Sequence, residues 1–374
     1  MTNGKKPFFS FLSHLRKVNA DDMSERSKIL RLFAKRMAFI FGVLILCVIM
    51  IGVSITIGTS NTSVGDAYKA IVNTLFPNTF PEISNLTMVI VRDIRMPRVL
   101  MAVFAGASLA AGGCITQSIL KNPLATPYTL GVSSGAGFGA ALTIIFGIGL
   151  FGGIGGIIVN AFVFSLIPIA IVTLASRYRT MTPMMMILCG VAISYMFSAS
   201  NTIFQYFGEA NAVKSVVFWM VGDLNEILLW HIPYVAVTLI AVFCVAMFLS
   251  RDINIMRMGD DTAKGLGVNA GRIRTVSLVM SCILTAVVVS FTGAIGFVCL
   301  LAPQISRMFV GSEMQYLLPA SALTGACLLS AADMFAKTVI APIMLPVGAV
   351  TALIGGPVLI ILIIRSRTSM GVRN

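Results

Sequence analysis

Residues 122–176 read NPLATPYTLGVSSGAGFGAALTIIFGIGLFGGIGGIIVNAFVFSLIPIAIVTLAS, 55 positions without one Asp, Glu, Lys or Arg. A helix crosses about 30 Å of hydrocarbon with roughly 20 apolar residues. The run therefore holds two crossings, and the glycine-rich stretch 147–156 marks the break between them.

Outward from this run the same pattern repeats. Uncharged stretches cover 37–65, 99–120, 180–208, 227–250, 275–306, 314–332 and 338–364. Most hold one span. The stretch 275–306 reads either as one long tilted span or as two joined by a turn at Gly293–Gly296. The total is nine or ten. Across all 374 residues, 57% are hydrophobic and 11% charged, where a soluble protein carries about 25% charge. Such a composition excludes a cytosolic enzyme, a nucleic-acid-binding domain and a disordered chain. It predicts an all-α polytopic membrane protein.

Charge settles the parity. Residues 1–36 carry nine Lys/Arg, and the last ten carry Arg365, Arg367 and Arg373 without an acid. Basic residues stay on the cytoplasmic side, so both ends are expected there and the span count is even: ten. Only Lys69, Arg92, Arg95, Arg98, Lys214 and Lys337 then lie outside, which leaves 21 of the 27 Lys/Arg inside. The net charge of +13 is thus read as topology rather than as a nucleic-acid footprint. The expected organisation is a basic cytoplasmic tail (1–36), a transmembrane domain (37–368) with a cytoplasmic loop at 251–274, and a short C-terminal tail (369–374). The tail is not expected to be a cleaved signal, because 36 residues rich in charge precede an uncharged run of 29.

Chemistry within the spans is sparse. The seven cysteines all fall in apolar runs without metal spacing, and His14 and His231 are isolated. No G-x-x-x-x-G-K-[ST] phosphate loop occurs. Proton-driven transporters usually bury ionisable residues in their spans, and here the one acid close to a span is Asp333. Energy for uphill transport is therefore expected from another subunit.

Five segments carry information. Arg95-Met96-Pro97-Arg98 places arginines outside, against the positive-inside rule, as a docking surface for an acidic partner or as side chains reaching lipid phosphates. Asn122-Pro123-Leu124-Ala125-Thr126-Pro127 is a cytoplasmic turn bracketed by prolines, placed to line the inner mouth of a pore. In 251–274, Gly259-Asp260-Asp261-Thr262-Ala263-Lys264-Gly265-Leu266-Gly267 reads as a short helix capped by aspartate and ended by glycine, suited to a groove on a cytosolic partner. Gly293 to Phe297, running on to Arg307, echoes the second-span segment in reverse position, as an inverted four-span repeat over 95–208 and 270–365 would require. Leu345 to Pro357 opens the last span on Pro346.

In this order the segments resemble the FecCD family of ABC-transporter permeases, over roughly 40–368. The matching motifs are R-x-P-R at 95–98, G-A-x-L-A at 106–110, Q-x-x-x-x-N-P-L-A-x-P at 117–127 and L-G-V-S-x-G-A at 130–136. G-x-x-x-A-x-x-L-G-V at 259–268, G-x-I-G-F-x-x-L-x-x-P at 293–303 and P-V-G-x-x-T-A-L-I-G-x-P at 346–357 follow. The resemblance implies a type II ABC importer permease, multi-pass in a bacterial plasma membrane and not itself an enzyme. It would pair with a second permease chain, take two cytosolic ATPase subunits below and an extracytoplasmic binding protein above, and bind no cofactor; ATP and Mg belong to the ATPase.

By the same resemblance Arg95, Arg98 and Lys337 meet acids on the binding protein. Asn122 and Leu124 form the cytoplasmic gate, with Thr180 and Thr182 beside them. Gly259, Asp260, Asp261, Ala263, Gly265, Leu266 and Gly267 seat on the ATPase, and the fifth and tenth spans wall the pathway. An iron(III)-siderophore chelate is the first expectation for the cargo, then haem or cobalamin. An ATP-independent secondary transporter is the rival class. Two positions depart from the family pattern: Gln304 stands where the family usually has His, and Met344 where it usually has Glu.

Overall fold

The computed structural model describes the backbone of residues 7–58, 63–76, 79–80, 82–149, 151–178 and 181–370. The described residues form helices and connecting segments, without strands. In chain order the helices are α1 (Pro7–Thr56), α2 (Val64–Leu75), α3 (Asn85–Val89), α4 (Met96–Leu120), α5 (Val132–Phe146), α6 (Gly153–Tyr178), α7 (Pro183–Phe207) and α8 (Ala210–Val221). Then follow α9 (Ile232–Phe248), α10 (Ser250–Arg257), α11 (Asp260–Gly265), α12 (Ala270–Thr292), α13 (Val298–Val310), α14 (Met314–Thr338) and α15 (Val347–Met370).

Among the described residues, seven helical stretches are long and apolar enough to cross a membrane: Ser27–Thr56, Asn85–Leu120, Gly153–Ser176, Pro183–Phe207, Leu229–Phe248, Ala270–Thr292 and Met314–Thr338. Three shorter apolar helices, Val132–Phe146, Val298–Val310 and Val347–Leu362, stand at the expected third, eighth and tenth spans. The uncharged run 275–306 is accordingly two elements, α12 and α13, split at 293–297. A fourth short helix, α8, forms where the sequence reads only an outer loop.

Helices α5 and α13 have 15 and 13 residues, about 20 Å at 1.5 Å per residue, less than the hydrocarbon thickness. A single 3-10 turn, Pro127–Leu130, precedes α5, and the non-helical segment 293–297 precedes α13. Irregular backbone at membrane depth is tolerated where protein covers it. That cover comes from α4, α12 and α14: the apolar window of Asn85–Leu120 is 83% buried, against 17% for Ser27–Thr56.

Close approach carries the packing, because lipid gives helices no hydrophobic drive toward one another. A Cβ at Gly113 of α4 would lie 1.9 Å from the Cys299 carbonyl oxygen of α13, and one at Gly106 would lie 2.4 Å from that of Gly325 in α14. The middle of α1 is tied to the α13–α14 turn by Arg36, 2.9 Å from Glu313 and over the Tyr316 ring, and by stacked Phe39 and Phe309.

Candidate functional site

A cavity of about 500 Å³ opens where both halves of the chain meet. Tyr128, Ser133 and Ser134 line it from the segment that opens α5, and Ala294, Gly296 and Phe297 from the one that opens α13. Ser194 of α7, Val221 at the end of α8, and Gly348, Ala349 and Ala352 of α15 complete the wall. The fifth and tenth spans thus both contribute. The first turns of α5 and α15 and the residue capping α13 face the same space. Each helix N-terminus carries about +0.5 of an elementary charge, so the cavity favours an electronegative guest. Its side chains are small, hydroxylic or aromatic and carry no charge.

The wall is held by its own hydrogen bonds. Tyr128 Oη donates to the Ile295 carbonyl at 2.8 Å. Backbone bonds run from Gly348 to the Gly222 carbonyl at 3.1 Å and from Asp223 to that of Thr292 at 2.8 Å. Phe297 has φ 64°, a region that costs a non-glycine residue about 1–3 kcal/mol and that clusters at functional sites. Its ring also borders an apolar pocket of about 240 Å³ among α13, α14 and α15.

At the end of the helices expected to face outward, the expected free arginines are not free. Arg95, Arg98 and Lys337 are each at most 5% exposed. Arg95 donates to the carbonyls of Ile55 and Thr56, at 3.1 and 3.3 Å, capping the C-terminus of α1. Arg98 Nε lies 2.7 Å from Asp333 Oδ1, and Lys337 Nζ 2.5 Å from Asp333 Oδ2. Arg98 also donates to Asn225 Oδ1 and contacts Met344 Sδ at 3.2 Å. The expectation of exposed charge is thus corrected, because a buried carboxylate and a helix end inside the same chain take these donors. The two cations share one acid, and Met344 places a thioether beside Arg98 where the related pattern has a carboxylate. Asp333 and Lys337 are spaced i, i+4 on α14, one helical turn apart, a spacing that is visible in the sequence.

At the inner end Asn122 Oδ1 accepts from Leu124 N at 2.9 Å, shaping the turn after α4, and the Leu124 side chain is exposed. Thr182 caps α7 by accepting from Met185 N at 3.3 Å. Thr180 lies outside the described residues. Gln304 Nε2 donates to the Pro123 carbonyl at 2.8 Å, so the second departing position braces this same turn. Arg307 donates to Gln304 Oε1 at 3.3 Å and to Gln117 Oε1 at 3.2 Å, joining α13 to α4. Neither Gln117 nor Arg307 was among the expected site residues, although both sit at the inner ends of quoted motifs.

The loop 251–274 folds as α10 and α11. Gly259 and Gly267, with φ 132° and 80°, bracket α11. Ala263 is fully buried, Leu266 and Gly265 face outward, and Asp261 is exposed. Asp260 lies 2.6 Å from Arg274 of α12 and 3.2 Å from Lys121 at the end of α4. Burial alone would raise the Asp260 pKa; hydrogen bonds and charge from Arg274 and Lys121 outweigh it and hold the carboxyl below its ordinary value.

The FecCD transport family model matches residues 45–365. A chain described as an ABC transporter permease of Methanocaldococcus jannaschii is 38% identical over 344 residues, covering 90% of this chain and 97% of that one. The hemin transport system permease of Yersinia pestis is 37% identical, covering 74% of this chain and 83% of that one. The molybdate import system permease of Haemophilus influenzae is 32% identical, covering 87% and 94%. A solved structure described as a metal-chelate type ABC transporter in an inward-facing conformation superposes with a TM-score of 0.76 at 30% identity, covering 87% of this chain and 98% of that one.

Proposed function

This chain belongs to the FecCD transport family, and on that premise we propose that it is the membrane-spanning permease subunit of an ATP-driven importer of iron(III)-siderophore-type chelates. Two copies of the chain, or one with a sister permease, would enclose the pathway in a bacterial plasma membrane with both termini cytoplasmic. A separate pair of ATPase subunits would use ATP and Mg, since this sequence has no phosphate loop, and the permease itself would bind no cofactor.

The observation that carries the reading is the uncharged cavity between α5, α7, the 294–297 turn and α15. Three helix N-termini favour a cargo with an electronegative surface, as the oxygen shell of a ferric chelate presents. The absence of charged side chains avoids holding it tightly. Haem, with its carboxylates, is the second reading, favoured by the identity to the hemin permease.

At the outer end two cations face one carboxylate, so acids of a binding protein would be drawn to the Arg98–Lys337 cluster, with Arg95 beside it. On the cytoplasmic side, α11 would seat on the ATPase through Leu266 and Gly265, and Asp260 would pass its movement to α4 and α12. Asn122 and Leu124, with Thr180 and Thr182, would gate the exit.

The test is reconstitution in vesicles with the cognate ATPase and binding protein. Uptake of radiolabelled ferric hydroxamate should require ATP and the binding protein, and Gly265→Pro should leave ATP hydrolysis while uptake falls at least tenfold. Accumulation without ATP would overturn the importer reading, and transport of haemin alone would move the cargo to the second reading.

A further inference from the structure

A second cavity, of about 290 Å³, lies at the inner ends of α4 and α13, lined by Gln117, Ser118, Lys121, Pro123, Arg257 and Arg307. Three of these six side chains are cationic. Lys121 pairs with Asp260, which Arg274 already engages. Arg257 donates to the Ser312 carbonyl. Among the described residues Arg307 has only the two glutamine oxygens, and its buried Nε has no partner there. Among the described residues, no carboxylate lies within 4 Å of Arg257 or Arg307.

Helix ends account for part of this charge. The C-termini of α4, α10 and α13 converge here, each equivalent to about −0.5 of an elementary charge. They offset roughly half of three cations, and the Asp260–Arg274 pair is neutral by itself. A positive excess of more than one charge therefore remains in a partly enclosed space. Two guanidinium groups lining one partly enclosed cavity supply the N–H donors by which arginine binds a phosphate oxyanion, while the Ser118 hydroxyl and the Gln117 amide beside them already donate to Met314 Sδ and to the Cys299 and Leu300 carbonyls.

We propose that this cavity is a phosphate-class oxyanion site on the cytoplasmic side of the chain. The anion is either a lipid phosphodiester of the inner leaflet or free inorganic phosphate, and both present the same oxygens. Bound there, it would tie α10 to α4 and α13, beside the Pro123 carbonyl that Gln304 already holds. The site stands on these residues alone, so its failure and the failure of the importer reading are separate results.

The experiment uses the purified full-length chain. In a nonionic detergent, inorganic phosphate is titrated against chloride at constant ionic strength while the melting midpoint is followed. A second arm places the chain in phosphatidylcholine vesicles with and without phosphatidylglycerol and repeats the titration. A saturable rise of about 2–4 °C is expected. A rise with phosphate that persists in vesicles containing phosphatidylglycerol assigns the free anion. A rise with phosphatidylglycerol that removes the phosphate response assigns the lipid. Arg257→Gln and Arg307→Gln should each weaken the response about tenfold in apparent affinity, and Lys28→Gln, on the exposed face of α1, should not. Arg307→Gln also cuts bonds between helices, so Arg257→Gln, which loses one carbonyl contact, decides if the former fails to fold. No saturable rise in either arm, or an undiminished one in Arg257→Gln, overturns the site.

Discussion

Helices α4 to α7 run 25, 15, 26 and 25 residues, and α12 to α15 run 23, 13, 25 and 24. Each half is a long helix, a short one and two long ones, and in each the short helix begins at a residue with positive φ beside the central cavity. The residues that perform this turn differ. Gly131 has φ 95° and no Cβ to clash, whereas Phe297 has φ 64° and a Cβ that strains the turn. The second half also buries Asp333 and Lys337, while the short-helix segment of the first half lines the cavity with hydroxyls. One architecture is thus built twice, with a glycine at the turn into the first short helix and a strained Phe297 at the second, and the buried acid of the second half is answered by Arg98 from the first. Phe297 lies at the cavity wall, and the Arg98–Asp333–Lys337 cluster joins α4 to α14.

The largest expected effect comes from removing the charge. Asp333→Asn leaves Arg98 and Lys337 buried without a carboxylate, and breaking a buried pair costs about 3–5 kcal/mol. Thermal unfolding in detergent should show the loss, and Asp333→Asn combined with Lys337→Met should recover part of it. An unchanged midpoint for Asp333→Asn would mean that the two halves do not differ in this respect.

Next comes the seam between the halves. Alanine at Gly113 would drive a methyl into the Cys299 carbonyl, and overpacking of this kind costs about 1–3 kcal/mol. The same substitution at Gly42, where nothing lies within 4 Å, should leave the midpoint unchanged. Equal midpoints for the two variants would show that α4 and α13 can move apart without loss.

The sharpest test of the two turns is smaller. A left-handed residue costs an L-amino acid about 1–2 kcal/mol. Gly131→Ala should therefore destabilise by roughly that amount, and Phe297→Gly should be more stable than Phe297→Ala by about 1 kcal/mol, the reverse of the usual order. Urea or thermal denaturation of wild type and the three variants decides it. If Phe297→Ala proved the more stable of the two substitutions at that position, the claim of strain would fall.

Much of the fold was legible because the signals were long and redundant. Uncharged runs gave the spans, and the placing of basic residues resolved one span or two at 275–306. Helix α8 was missed because its 12 residues are too few for a crossing and lie among charged neighbours. The site was legible by motif but not by environment. Arg98 and Lys337 are 239 positions apart in sequence, and only the third partner, Asp333, shows that both are engaged inside the chain. Likewise no local pattern shows that Gln304 reaches the Pro123 carbonyl, 181 positions away. Contacts across the seam depend on how helices far apart in the chain pack together, which a single stretch of sequence does not show.

The smallest predicted effect lies where the halves are tied together. Asp260 accepts from Lys121, which ends α4, and from Arg274, in the first turns of α12, so one carboxylate spans both. Its folded pKa is depressed, so the stability that it contributes is present above the unfolded value, near 3.9, and is lost as pH falls through the lower folded value. Between pH 5.5 and pH 8 the tie should not respond to acidity, in contrast to a histidine switch. The side chain is 36% exposed, so solvent screening holds its worth to about 1 kcal/mol or less, and global melting is a blunt measure. Hydrogen exchange of the 259–267 amides is a better one. Asp260→Asn at pH 7.5 should lower the protection factors there severalfold, and wild type should lose the same protection only when the pH falls below the ordinary carboxylate range. If α11 exchanges equally in both chains at neutral pH, the tie is not what holds the loop, and the two halves must communicate through the Gly113 seam instead.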